Sequence, residues 1–174
     1  MRSLIRLLQT LKFAKNSGRG ILRGNEGGAF VELALLVSFF AAPLLMGTAE
    51  TGFMLYDSIE VENAAHTGAM YGMMSSTFAA DSTGIQTAAQ EEAPDLGTNL
   101  TVTPTTYYAC SAAIDGTQYS SQAAATAACS GAGNHGLQFV QVAATAVVPL
   151  PIRVPGILPG SVTLSNTSVM EVQE

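Results

Sequence analysis

The spacing of apolar residues divides the chain into a rod and a head. Seventeen residues from Leu33 to Ala49 carry no formal charge, enough for a helix of about 25 Å at ~1.5 Å per residue. Extending this run backward through Gly28, Ala29, Phe30 and Val31 reaches the ~30 Å of a bilayer core and encloses one carboxylate, Glu32. Pro43 falls inside the run, where it removes the hydrogen bond to Phe39 and is expected to bend the helix. Between Gly52 and Met74 no proline intervenes, and Gly52, Leu55, Tyr56, Ile59, Met70 and Met73 recur at helical spacing along one face, interrupted by Asn63 and His66. The opposite face carries Val61, Ala64, Ala65, Gly68 and Gly72, a small-residue stripe that lets another backbone approach closely. The helix is therefore expected to continue out of the membrane, with one face for the head and one for a neighbour.

Beyond Ser75 and Ser76 the pattern changes. An Asp81-Ser82-Thr83-Gly84 turn precedes a short helix from Ile85 to Glu92, stopped by Pro94. Three segments then read as strands: Leu100 to Thr103, the alternating Leu137 to Val148, and Ser161 to Val172. Between the last two, Pro149, Pro151, Pro155 and Pro159 exclude a central strand or a helix and predict an extended surface connection. The resulting class is α+β, a long N-terminal transmembrane helix running into a small antiparallel β-sheet head. The expected boundaries are a basic leader over residues 1–27, the transmembrane and extended helix over 28–76, and an extracytoplasmic head over 77–174.

Charge adds an orientation to this picture. Charged residues make up only 11% of the chain, well below the roughly 25% of a soluble globular protein. The net charge of -6 is unevenly placed: Arg2, Arg6, Lys12, Lys15, Arg19 and Arg23 precede Gly27 with only Glu26 against them, whereas Arg153 alone faces the twelve later carboxylates. Basic residues ahead of a membrane segment hold that end in the cytoplasm, which places the acidic head outside an inner (cytoplasmic) membrane. An acidic body of this kind repels phosphate backbones and argues against nucleic-acid partners.

A conventional signal peptide carries its small-residue cleavage site after the apolar run; here the small pair, Gly27-Gly28, precedes it. The heptapeptide Gly27-Gly28-Ala29-Phe30-Val31-Glu32-Leu33 resembles a prepilin peptidase site, in which cleavage between Gly27 and Gly28 leaves Glu32 as the fifth mature residue. Leu33 stands where such precursors often have phenylalanine or tyrosine. The longer stretch from Gly27 to Ala65 is similar to the TadE-like segment of tight-adherence pilus proteins, through Val31-Glu32, Glu50-Thr51-Gly52-Phe53 and Glu62-Asn63-Ala64-Ala65. Pro149 to Gly160 and the strand after it resemble, less specifically, the C-terminal part of the same proteins. The resemblance implies a minor pilin or pseudopilin without catalytic activity. Its implied partners are a prepilin peptidase, other pilin subunits, the inner-membrane assembly platform and the membrane itself.

The chemistry of the site can be stated without the family. A Gly-Gly pair adopts extended or left-handed backbone without steric penalty, so a protease can draw it into a cleft. The new ammonium of Gly28 would open the helix, and a carboxylate one turn along at Glu32 is favoured there. Unpaired in mid-bilayer, that carboxylate costs ~2.5–3.5 kcal/mol, and less near the edge; pairing with a neighbouring ammonium rewards assembly in register. The plainer alternatives are an uncleaved anchor in which Glu32 reaches the headgroups and the head serves binding or adhesion, and a pseudopilin of a type II secretion apparatus.

Cys110 and Cys129 enclose eighteen residues. In an oxidising extracytoplasmic setting a bridge between them could contribute about 3 kcal/mol, two buried free thiols being the alternative. Met70, Met73 and Met74 read as core filling at helical spacing rather than as metal ligands. His66 and His135 have no carboxylate and nucleophile arrayed near them, and Gly131 to Gly136 reads as a flexible turn rather than a phosphate cradle. No enzyme, cofactor, metal or small-molecule substrate is expected.

Overall fold

The computed structural model describes residues 26–150 and 160–173. The basic leader before Glu26 and most of the proline-rich connection lie outside the described residues. Contacts divide the chain after Ala49 into two units.

In the first unit, helix α1 spans Glu26–Leu36 and passes into a π-helical turn over Val37–Ala41 before α2, Ala42–Met73, begins. The wide turn answers to Pro43. Proline offers no N–H to the carbonyl of Phe39 and crowds it sterically, and the Ala42 N–H just before it reaches back to the Val37 carbonyl. A π-bulge is one of the few ways a helix absorbs such an interruption. The expected break is thus taken up as one widened turn. Residues 28–40 are exposed throughout, Phe30, Phe39 and Phe40 among the most exposed.

The second unit is the α+β head. It holds the remainder of α2, the short helices α3 (Ser76–Ala80) and α4 (Ser82–Glu92), strand β1 (Leu100–Cys110), helix α5 (Gln122–Ala128), and strands β2 (Gly136–Pro149) and β3 (Ser161–Glu171). Local chemistry sets the breaks. The Ser75 hydroxyl caps α3 through the Phe78 N–H, the Asp81 carboxylate caps α4 through the Gly84 N–H, and the Ser121 hydroxyl caps α5 through the Ala124 N–H. Tyr71 also donates its hydroxyl proton to Asp81 at 3.0 Å. The Gly84 N–H and then the Tyr71 hydroxyl hold the Asp81 carboxyl below its usual range.

The sheet is antiparallel with order β1-β2-β3. Leu100 pairs with Ala146 and Cys110 with Gly136 on one side of β2; Phe139 pairs with Glu171 and Pro149 with Ser161 on the other. The inner face of β2, formed by Val140, Val142, Ala144 and Ala146, packs with Val61, Ala64, Ala65 and Ala69 of α2 and Ile85 and Ala89 of α4. The largest fully buried side chains are only Ile85, Val61, Val140 and Val142. A core this lean leaves the stability of the head unusually dependent on close approach and on its cross-link. Cys110 and Cys129 are bonded, tying the end of β1 to the residue after α5. Tyr107 stacks on Phe139 at 5.4 Å between ring centres on the outer face of the sheet.

Two features depart from expectation. β1 runs on through Pro104 to Cys110, where a strand ending at Thr103 is expected, because β1 is an edge and tolerates a missing donor on its free side. The alanine-rich segment Gln122–Ala128, to which the sequence pattern assigns no element, is helical.

Candidate assembly interface

Glu32 lies in α1 and is exposed, with exposed Phe30, Val31 and Leu33 around it. Gly27 and Gly28 fall in the first turn of the same helix, Glu26–Leu36. Glu32 stands four positions after Gly28, the spacing at which helical neighbours stand about 5–6 Å apart. An ammonium created at Gly28 would therefore lie one turn from the carboxylate. A Cβ placed on Gly28 meets nothing within 4 Å, so space for a neighbour is open on that side.

The helix Gly28–Met73 meets the length and apolarity of a membrane span, and its most apolar window has no part buried within the protein. An apolar surface left bare in this way needs lipid or another subunit to cover it.

In the head portion of α2 the two faces have different neighbours. A Cβ on Gly72 would come within 2.8 Å of Val140 Cγ2, and one on Gly68 within 3.2 Å of Val142 Cγ1 and 3.3 Å of Ala89 Cβ. The close approach that the small stripe allows is thus made to the chain's own sheet and to α4. The opposite face leaves Leu55, Tyr56 and Ile59 exposed, with Met70 further along and Met73 half-buried against the core. This bare face is the part of α2 in the head that a neighbour can reach.

Tyr56 marks a polar point on it. Its hydroxyl donates to Asp95 Oδ2 at 3.1 Å, while Glu60 Oε2, sheltered from solvent, has no hydrogen-bond partner among the described residues. The carboxylates of Glu60 and then Asp95 push the phenol's pKa up to about 12. Burial, and then the charge of Asp95, raise the pKa of Asp57.

His66 is exposed on α2, 69 positions from His135 in sequence. His135 sits in the turn before β2, where Gly131 and Gly133 take positive φ, and its backbone N–H donates to Ser111 Oγ at 3.1 Å. Ser111 in turn donates to Asn134 Oδ1 at 3.2 Å. These bonds knit the end of β1 to the turn. Among the described residues no group of three histidine, cysteine or carboxylate side chains is placed to hold a metal ion.

The apolar rod, its acidic residue and the head portion of α2 fall together in one stretch of sequence, and that stretch matches the model of the TadE-like protein family over residues 27–70. The chain carries a TadE-like segment. The match takes in α1, the π turn and nearly all of α2. It includes Gly27, Gly28, Glu32 and Gly68 and stops short of Gly72, the sheet and the disulfide. No curated protein and no solved structure matches the chain significantly.

Proposed function

We propose that this protein is a minor pilin of a tight-adherence pilus, made as a precursor with a leader over residues 1–27, an anchor-bearing helix over 28–76 and a head over 77–174. The prepilin peptidase cuts between Gly27 and Gly28. The leader bases keep the N-terminus cytoplasmic and the head on the outer side of the inner membrane. The observation that carries this reading is the TadE-like match, which begins at Gly27 and covers an exposed apolar helix with one carboxylate in its first turns.

In this reading the α-ammonium of Gly28 and the carboxylate of Glu32 give the helix a polar pair in an apolar setting. Glu32 pairs with its own ammonium or with that of a neighbouring subunit. A charge pair in low dielectric is worth far more than one in water, and satisfying it between subunits sets the axial register of the assembled helices. The head is the larger part of the chain, which suits a subunit present in few copies better than one packed along a whole shaft.

Glu32→Ala tests the pairing. The variant should be processed as the native chain is, and its share in sheared pili should fall roughly tenfold or more, as expected for loss of about 1.4 kcal/mol or more of assembly energy. Undiminished incorporation would remove Glu32 from the mechanism.

A further inference from the structure

The two edges of the sheet are finished differently. In β3 the Val172 N–H donates to the Gln138 carbonyl at 2.8 Å, so by alternation the even-numbered residues of β3 direct their backbone groups to β2. Thr163, Ser165, Thr167, Val169 and Glu171 then direct theirs away from the sheet. The same alternation turns Leu100, Val102, Pro104, Thr106 and Tyr108 of β1 outward. That edge is closed. Gln86 Nε2 donates to the Val102 carbonyl at 3.1 Å, Pro104 has no N–H, and Tyr108 exchanges both backbone bonds with Tyr119 at 2.8 Å. At the β3 side the only such contact among the described residues lies just past the strand, where the Gln173 N–H donates to the Met73 carbonyl at 2.8 Å. Within Ser161–Glu171 the outer row has no backbone partner among the described residues, and from Ser161 to Met170 the strand contains neither proline nor charge.

We infer that the β3 edge accepts a strand from a different protein, adding a fourth strand to the sheet. Three observations define the donor's chemistry. The inward row at this edge is Val162, Leu164, Asn166, Ser168 and Met170, all only half-buried, so an incoming strand with apolar side chains opposite Val162, Leu164 and Met170 completes the burial of those three. The outward row is polar and uncharged over Thr163, Ser165 and Thr167, where it asks for polar residues between them, before it ends on Val169 and Glu171. From Glu50 onward the chain has eleven carboxylates against Arg153 alone, which favours a neutral or basic donor over an acidic one. That last point counts against a second copy, which would bring the same acidic head to the edge. The chain's own connection carries Pro151, Pro155 and Pro159, which lack the donors a ladder needs.

The test is hydrogen exchange on the full-length protein in detergent micelles. The probe is a synthetic peptide of alternating valine and threonine with a lysine at each end, matched in length to β3. Without peptide, the amides of Leu164, Asn166 and Ser168 should exchange slowly and those of Ser165, Thr167 and Val169 quickly. Saturating peptide should slow the second set by roughly tenfold or more, as new ladder bonds do, and leave the first set unchanged. Thr167→Pro removes an outward N–H only, so it should abolish the slowing while Leu164 and Asn166 stay protected. The same peptide with glutamate at each end should bind more weakly.

Odd-numbered amides already protected without peptide would overturn the proposal by showing the edge covered. So would a failure of the lysine peptide to slow them. Concentration-dependent dimerisation that Thr167→Pro abolishes would overturn it in favour of a second copy. None of these results depends on leader processing, so the inference and the pilin assignment can fail separately.

Discussion

Gly72→Ala measures how closely the long helix is pressed into the head. Alanine favours an exposed helix interior over glycine by about 1 kcal/mol, and that gain alone would stabilise. At position 72 the new methyl would sit 2.8 Å from Val140 Cγ2 and 3.2 Å from Ile85 Cδ1. Val140 and Ile85 are both fully buried, so neither can swing aside cheaply, and overpacking of this kind costs about 1–3 kcal/mol. The net expectation is a loss of about 0–2 kcal/mol, the middle of which, ~1 kcal/mol, lowers Tm by roughly 4–8 °C for a head of this size. Gly52 lies in the same helix, where an added methyl would meet nothing within 4 Å, so Gly52→Ala should keep most of the helix gain. Gly68→Ala, with contacts of 3.2–3.3 Å, should fall between the two. The assay is thermal melting followed by near-ultraviolet circular dichroism of the tyrosines, all of which lie beyond Glu50 and so report the head rather than the anchor. A Tm for Gly72→Ala equal to or above that of Gly52→Ala would refute the packing argument.

Two further outcomes follow from the head. Replacing Cys110 and Cys129 together by serine should cost about 3 kcal/mol, read as a lower urea midpoint; an unchanged midpoint would show that the loop is held without the bridge. Tyr56 should ionise near pH 12, isolated as the difference in tyrosinate absorbance between the native chain and Tyr56→Phe. Because this pKa is raised above its unfolded value of about 10, the stability it contributes is full below pH 10 and lost as pH rises through 12. A difference spectrum with its midpoint near pH 10 would contradict the placement of Glu60 and Asp95 around the phenol.

The rod, the α+β class and the bonded cysteines were legible in the sequence, because each rests on a pattern that tertiary context rarely overrides. An uncharged run from Leu33 to Ala49 has few alternatives to a span, and the alternation from Leu137 to Val148 is long enough to mark the central strand, observed over Gly136–Pro149. The rest depended on neighbours. Nothing local says that β1 passes through Pro104; that follows from its place at the edge. The short helices at Ser76–Ala80 and Gln122–Ala128 were signalled only by Ser75 and Ser121 as caps, and serine is too common to decide a boundary. The small stripe on α2 was visible, but what it touches was not, since Gly68 and Gly72 suit a valine of the chain's own sheet as well as a foreign helix. The open β3 edge was invisible for a related reason, because strand order and backbone direction belong to the sheet and not to Ser161–Glu171 alone.

The most direct test of the assignment is the intact mass of the membrane-bound chain, taken from cells with and without the prepilin peptidase. A species beginning at Gly28 is expected in the first and one retaining the leader in the second. A full-length chain in both, still carrying all six leader bases, would contradict the assignment and leave an uncleaved anchor.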